Sequence, residues 1–117
     1  MKSKKNALIT VLIIVVILAI AGVIIYIKSN SNSAVSAQLA QCIGSHSQIY
    51  VQLGCHFCAE QEALFGDSFK YLNSTDCYYN ASICNQLGIS GTPTWIINGK
   101  QYLGVQSIDQ LKNLTGC

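Results

Sequence analysis

The chain changes character near residue 28. From Ala7 to Ile27 it reads ALITVLIIVVILAIAGVIIYI, 21 residues without a charge. A helix of that length spans roughly 30 Å, the thickness of a bilayer core. No polar face interrupts the run, which argues against a buried core helix. A secretory signal would have a shorter apolar stretch, about 7–15 residues, followed by a small-residue cleavage site. Small residues between 31 and 36 offer a weak site of that kind, but an uncleaved anchor is the expectation. Residues 28–36, KSNSNSAVS, read as a polar tether. The expected organisation is therefore a cytoplasmic tail over 1–6, a transmembrane helix over 7–27, a linker over 28–36 and a folded domain over 37–117.

Within that domain the patterning alternates between the two periods. Val35, Leu39 and Ile43 recur at helical spacing over 34–44. Gln48–Leu53 reads as a strand, and Gly54 breaks it. A helical pattern then starts at or near Cys55, with Cys58, Gln61/Glu62, Phe65 and Phe69 in register. A weaker strand is expected over 71–77 and a short helix over 81–87, with Gly88 at its C-terminus. Thr94–Ile97 is a strand, Asn98-Gly99 a hairpin turn, and Lys100–Val105 the return strand. Ser107 suits an N-cap and Asp109 the first turn of a last helix. Leu111 and Leu114 should face the core, and Gly116 should close the helix. The order helix, strand, helix, strand, helix, hairpin, helix is that of an α/β, thioredoxin-like fold, a central mixed sheet flanked by helices.

Charge adds orientation. Lys2, Lys4 and Lys5 precede the apolar span and only Lys28 follows it closely. The amino terminus is then expected in the cytoplasm and the domain outside the cell membrane, in the periplasm or the extracellular space. Without those four lysines the remainder carries three lysines and five acids, 3 − 5 = −2. The net charge of +2 is thus a topology signal and gives no support to nucleic-acid binding. Six cysteines, Cys42, Cys55, Cys58, Cys77, Cys84 and Cys117, all follow the anchor, which suits an oxidising compartment. Sequons begin at Asn73, Asn80 and Asn113.

The candidate chemistry lies in Leu53-Gly54-Cys55-His56-Phe57-Cys58-Ala59. At a strand-to-helix junction, the free N–H groups and dipole of the helix start favour a thiolate on Cys55. Cys58 lies one turn on, within reach of a disulfide. Cys55 is the expected attacking nucleophile, and Cys58 the buried resolving thiol. The alternative is half of a zinc site, but neither Cys77/Cys84 nor His46/His56 has compact zinc spacing, and no metal is expected. His46 reads as a surface residue. Haem attachment fails because Ala59 stands where histidine is required. His56, when protonated, would favour the thiolate, and Phe57 either offers an apolar surface to an incoming chain or is merely exposed. Pro93, the only proline, precedes a strand. In a thioredoxin fold that position is a cis-proline loop packed on the cysteine pair, where the backbone of the preceding residue, Thr92, can pair with a substrate.

CHFCAEQEALFGDSF, Cys77, Cys84-Asn85-Gln86-Leu87-Gly88-Ile89 and GTPTWIINGKQYLGVQSIDQL together resemble one branch in particular. This is the thioredoxin-like domain fused to, or partnering, bacterial and archaeal vitamin K epoxide reductase homologues, and the resemblance covers roughly 38–117. It implies a dithiol oxidase for exported proteins, with Cys55/Cys58 reoxidised by a quinone-linked membrane partner and no cofactor of its own. It also implies a structural disulfide between Cys77 and Cys84, with a second redox relay as the alternative. Cys42 and Cys117, one on each terminal helix, leave a third bridge, an intermolecular bond or free thiols; the bridge is slightly favoured. This chain departs from the branch in carrying Gly54 where an aromatic residue usually precedes the first cysteine, and His-Phe between the cysteines. Ile49 also stands where cytosolic thioredoxins place a buried acid. Two competing functions follow, a disulfide isomerase or reductase fed by a membrane donor, and a non-enzymatic stapled or metal-binding surface domain.

Overall fold

The structure, a computed structural model, describes residues 1–30 and 35–117, so residues 31–34 of the expected tether lie outside the described residues. The chain divides into two units, Met1–Ser33 and Ala34–Cys117. The first holds helix α1 (Lys2–Asn30). Its stretch Lys2–Ile27, 26 residues, is long and apolar enough to cross a membrane, about 39 Å at the usual helical rise. The hydroxyl of Thr10 donates to the Asn6 carbonyl at 2.8 Å, so even this polar group is satisfied within the helix.

The second unit runs α2 (Ala37–Ser45), β1 (Ser47–Val51), α3 (His56–Phe65), a 3₁₀ segment (Gly66–Tyr71), β2 (Ser74–Asp76), α4 (Ala81–Gln86), β3 (Thr94–Ile97), β4 (Lys100–Leu103) and α5 (Ile108–Thr115). The sheet order is β2-β1-β3-β4. β1 and β2 are parallel, with Ile49 opposite Ser74, and α3 with the 3₁₀ segment supplies the crossover that parallel strands require. β1 pairs antiparallel with β3, Ile49 opposite Trp95, and β3 with β4, Trp95 opposite Tyr102. Neighbouring residues on the two central strands are buried alike, Ile49 with Tyr50 and Thr94 with Trp95. Both faces of those strands are therefore covered, while no residue of edge strands β2 and β4 is fully buried. This is the thioredoxin-like fold that the element order predicts.

Local chemistry accounts for most boundaries. Ser36 caps α2 through the N–H of Leu39 at 3.2 Å, and Ser107 caps α5 through that of Gln110 at 3.2 Å. Gly116 ends α5 with φ 76°. Asn98 and Gly99 take φ of 51° and 76°, the paired positive values of a tight hairpin turn. The expected strand over 71–77 shortens to Ser74–Asp76 because the 3₁₀ segment runs on to Tyr71. The return strand ends at Leu103 rather than Val105, since Gly104 takes φ 93°. α2 lies so close to the end of the 3₁₀ segment that a Cβ on Gly44 would strike the Tyr71 carbonyl and come within 3.1 Å of Leu72 Cα.

Ile43, Ile49, Phe65, Trp95, Ile97 and Leu111 form the fully buried centre, and Leu114 packs partly buried against it. Two polar side chains, Gln61 and Thr94, are buried as completely. Gln61, with no exposed surface, accepts from Trp95 Nε1–H at 3.0 Å and from the Gln106 backbone N–H at 2.7 Å. Its Nε2 donates to the Gln106 carbonyl at 3.1 Å. Leucine at 61 would leave those partners buried without a mate, at about 1–3 kcal/mol for an orphaned group. Gln61→Leu should therefore lower domain stability by about 3 kcal/mol, read as an earlier urea midpoint in the fluorescence of Trp95, the lone tryptophan.

The structure bonds Cys42 to Cys117, 75 residues apart, and Cys77 to Cys84, 7 apart. Chain-entropy reasoning assigns about 4 kcal/mol to the first loop and about 2.5 kcal/mol to the second. The double variant Cys42→Ser/Cys117→Ser should accordingly lose more of the urea midpoint than Cys77→Ser/Cys84→Ser. The reverse order would show that the long loop is already restrained in the unfolded chain.

Candidate active site

β1 ends at Val51, and the chain turns through 52–54 before α3 begins. The Cys55 N–H donates to the Gln52 carbonyl at 3.1 Å, and Gly54 adopts φ 78°. A side chain is strained at that angle, which gives a physical reason for glycine where the resembled branch has an aromatic. Asp76 Oδ1, at the end of β2, holds the turn by accepting from the N–H groups of Leu53 at 3.3 Å and Tyr78 at 2.8 Å. Cys55 is itself the N-cap of α3, its Sγ accepting from the Cys58 N–H at 3.1 Å. Cys55 and Cys58 are bonded, with Cα atoms 5.2 Å apart. The two sulphurs differ in access, since Cys55 is half-buried and Cys58 only 2% exposed.

The loop before β3 closes on the first sulphur. The Thr92–Pro93 peptide is cis, and Cys55 Sγ lies 3.4 Å from both the carbonyl oxygen and Oγ1 of Thr92. Thr94 Oγ1 donates to the Gly91 carbonyl at 2.6 Å and the Gly104 N–H to the Pro93 carbonyl at 2.8 Å, so the loop is tied at both ends. The fold thus gathers Cys55, Cys58, Thr92 and Pro93 at one point. A half-buried cysteine whose sulphur is backed by a helix N-terminus and a backbone N–H is suited to exchange with an incoming thiol.

The residues between the cysteines face outward. The His56 ring meets Glu60 at 3.0 Å, with the histidine side chain 82% exposed, so its nearest charge is a carboxylate on the next turn. Phe57 is 59% exposed and lines an apolar groove of about 380 Å³ with Leu103, Val105 and Thr92. On the other side of α3 a cavity of about 470 Å³ is walled by the 51–55 turn, Cys58, Glu62 and Asp76.

The other cysteines lie elsewhere in the domain. Cys77–Cys84 links the residue after β2 to α4, with Cα atoms 5.8 Å apart, and Cys42–Cys117 ties α2 to the second residue after α5, at 6.0 Å. His46 is exposed, yet its Nδ1 lies 2.8 Å from the Cys42 carbonyl and 4.0 Å from Cys117 Sγ. Linear spacing does not reveal the trio Cys42, His46 and Cys117, whose ligand-type atoms all fall within 4.8 Å. Both thiols of that trio are taken up in the disulfide. The sequence pattern likewise says nothing of the part Leu103 and Val105 play in the groove or Asp76 in the turn, because each acts through the hairpin or a neighbouring strand.

No protein-family model matches the chain. A curated relative, Thiol-disulfide oxidoreductase LTO1 of Arabidopsis thaliana, is 32% identical over 98 residues, which cover 75% of this chain. The chain spans only about a quarter of that relative, 26% of its length. Among solved structures, the NTD_N/C domain of alkylhydroperoxide reductase AhpF from Enterococcus faecalis is similar at a TM-score of 0.43 and 18% identity, over 68% of this chain and 44% of that one. A likeness that loose adds nothing to the strand order and register, on which the thioredoxin-like fold stands.

Proposed function

We propose that the domain is a membrane-anchored, extracytoplasmic thiol–disulfide oxidoreductase that introduces disulfides into exported proteins through Cys55 and Cys58. The observation that carries this reading is the bonded pair at the start of α3, its first sulphur reachable and set against the cis Thr92–Pro93 loop. The name of the curated relative supports the same chemistry. The apolar helix over Lys2–Ile27 supports the anchor, and the lysine asymmetry supports an inward amino terminus.

In this reading a substrate thiolate attacks Cys55 Sγ, the Cys55–Cys58 bond breaks, and Cys58 leaves. A second substrate thiolate then attacks the substrate sulphur of the mixed disulfide, forming the substrate's own bridge and releasing Cys55 as a thiolate. The Cys58 N–H, the α3 N-terminus and the Thr92 hydroxyl stabilise that anion. Two electrons now rest on the domain. A quinone-linked membrane oxidoreductase of the vitamin K epoxide reductase type withdraws them and restores the disulfide. Thr92 and Pro93 position the incoming chain, Phe57 contributes apolar surface, and Cys77–Cys84 and Cys42–Cys117 serve as structural bridges.

Cys58→Ser should accumulate mixed disulfides on Cys55 in native membranes that dissolve on reduction, and Cys55→Ser should abolish both these and the oxidation of a reduced substrate protein. Failure of Cys58→Ser to trap anything would favour a stapled surface domain. The direction of flow is read separately. Equilibration with glutathione should place the Cys55/Cys58 potential well above about −270 mV, the value typical of a cytosolic reductant, and a value at that level would make the domain a reductase or isomerase.

A further inference from the structure

On the redox reading above, each turnover moves a proton on and off Cys58. Cys58 must take a proton when it leaves Cys55 and give one up when it attacks again. It is 2% exposed and belongs to a cluster with Ile49, Val51, Phe65 and Trp95. None of the buried members of that cluster other than Cys58 itself can exchange a proton, and apolar surroundings favour the thiol over the thiolate. The exit left to that proton is the cavity of about 470 Å³ that Cys58 lines, a volume that holds several waters at about 30 Å³ each.

Three titratable side chains besides the cysteines line that cavity, namely His56, Glu62 and Asp76. The His56 ring is engaged by Glu60 at 3.0 Å. Asp76 Oδ1 is occupied by two backbone N–H groups at 2.8 and 3.3 Å. Asp67 and Lys70 of the 3₁₀ segment do not line it, and β1 and β3 bring no charge to it. Glu62 stands one helical turn beyond Cys58, a spacing that puts Cβ atoms about 5–6 Å apart. Among the described residues its carboxylate has no hydrogen-bond or ion-pair partner.

We propose that Glu62 is the proton acceptor for Cys58, acting through water in this cavity. In the resolving step the Cys58 S–H proton passes to water, which passes one on to the Glu62 carboxylate. The Cys58 electron pair forms the bond to Cys55 Sγ. The bond between Cys55 and its partner's sulphur breaks, and that sulphur leaves as a thiolate with the electron pair. The same route, reversed, protonates Cys58 when a substrate thiolate displaces it.

The test is a single turnover of the reduced full-length chain with oxidised glutathione, quenched in acid and resolved by mass spectrometry into dithiol, glutathione-mixed disulfide and disulfide. A positioned base contributes about 10²–10⁴-fold. For one acting through water we expect Glu62→Gln to slow decay of the mixed disulfide about tenfold at pH 6–7, a tenth or less of that range. Formation of the mixed disulfide by Cys55 should be unchanged. The deficit should narrow as the pH rises past about 8.5, the range of an ordinary thiol, because hydroxide then takes up the proton without Glu62, and Glu62→Asp should recover part of the rate. Equal decay in Glu62→Gln and wild type at every pH overturns the assignment, as does a slowing that is independent of pH and shared by Glu62→Asp. If instead no mixed disulfide forms on Cys55 even in Cys58→Ser, the redox reading itself fails.

Discussion

The geometry of the site depends on one buried amide. Gln61 sits on the inner face of α3 between Cys58 and Phe65, and its three hydrogen bonds reach β3 through Trp95 and the segment before α5 through Gln106. An amide in an apolar interior is costly unless its donors and acceptor are met, and the described residues contain no buried side-chain polar atom left without a partner. The network therefore penalises any displacement of α3 along the sheet, because a small shift breaks several bonds in a low-dielectric setting at once. Hydrophobic packing alone tolerates such sliding better, since it has no direction.

Fixing α3 fixes the difference between the two cysteines. The helix start delivers Cys55 to the surface, where its sulphur meets the Cys58 N–H and Thr92, while Cys58, one turn deeper, joins the same core as Trp95. Because Trp95 lies on β3 immediately after Pro93 and Thr94, the element that receives the Gln61 bond also carries the loop facing Cys55. The two walls of the site are thus referenced to a single side chain. The apolar groove follows from the same arrangement, with Phe57 supplied by α3 and Leu103 by the strand paired to β3.

Much of this was legible in the sequence wherever the cause is local. The breaks at Gly54 and Asn98-Gly99, the cap at Ser107 and the stop at Gly116 each belong to one or two residues whose conformational preferences decide the matter. The 3₁₀ segment was not, because a six-residue stretch of tighter turns has no periodicity to read. Gln61 left a trace that composition obscures: it falls on the face shared by Cys58 and Phe65, where an uncapped polar residue implies a buried partner. The Cys42–Cys117 bridge was only slightly favoured, and the nearness of His46 to Cys117 had no such trace, since both come from α2 packing beside α5 across 75 residues of chain.

The three disulfides divide between holding the fold and being free to open. Loop-closure entropy grows with the length of chain enclosed. The bridge across 75 residues accounts for about 4 kcal/mol of restraint, whereas Cys55–Cys58, with a separation of 3, encloses almost nothing and amounts to about 2 kcal/mol at most. Even that bound overstates the loss, because α3 already holds the two residues one turn apart. With strands of only three to five residues, a domain this small relies on its long staple for margin. Reducing the short bridge leaves Gln61, Trp95 and the Cys42–Cys117 tie in place, so the pair can open and close while the groove beside it keeps its shape.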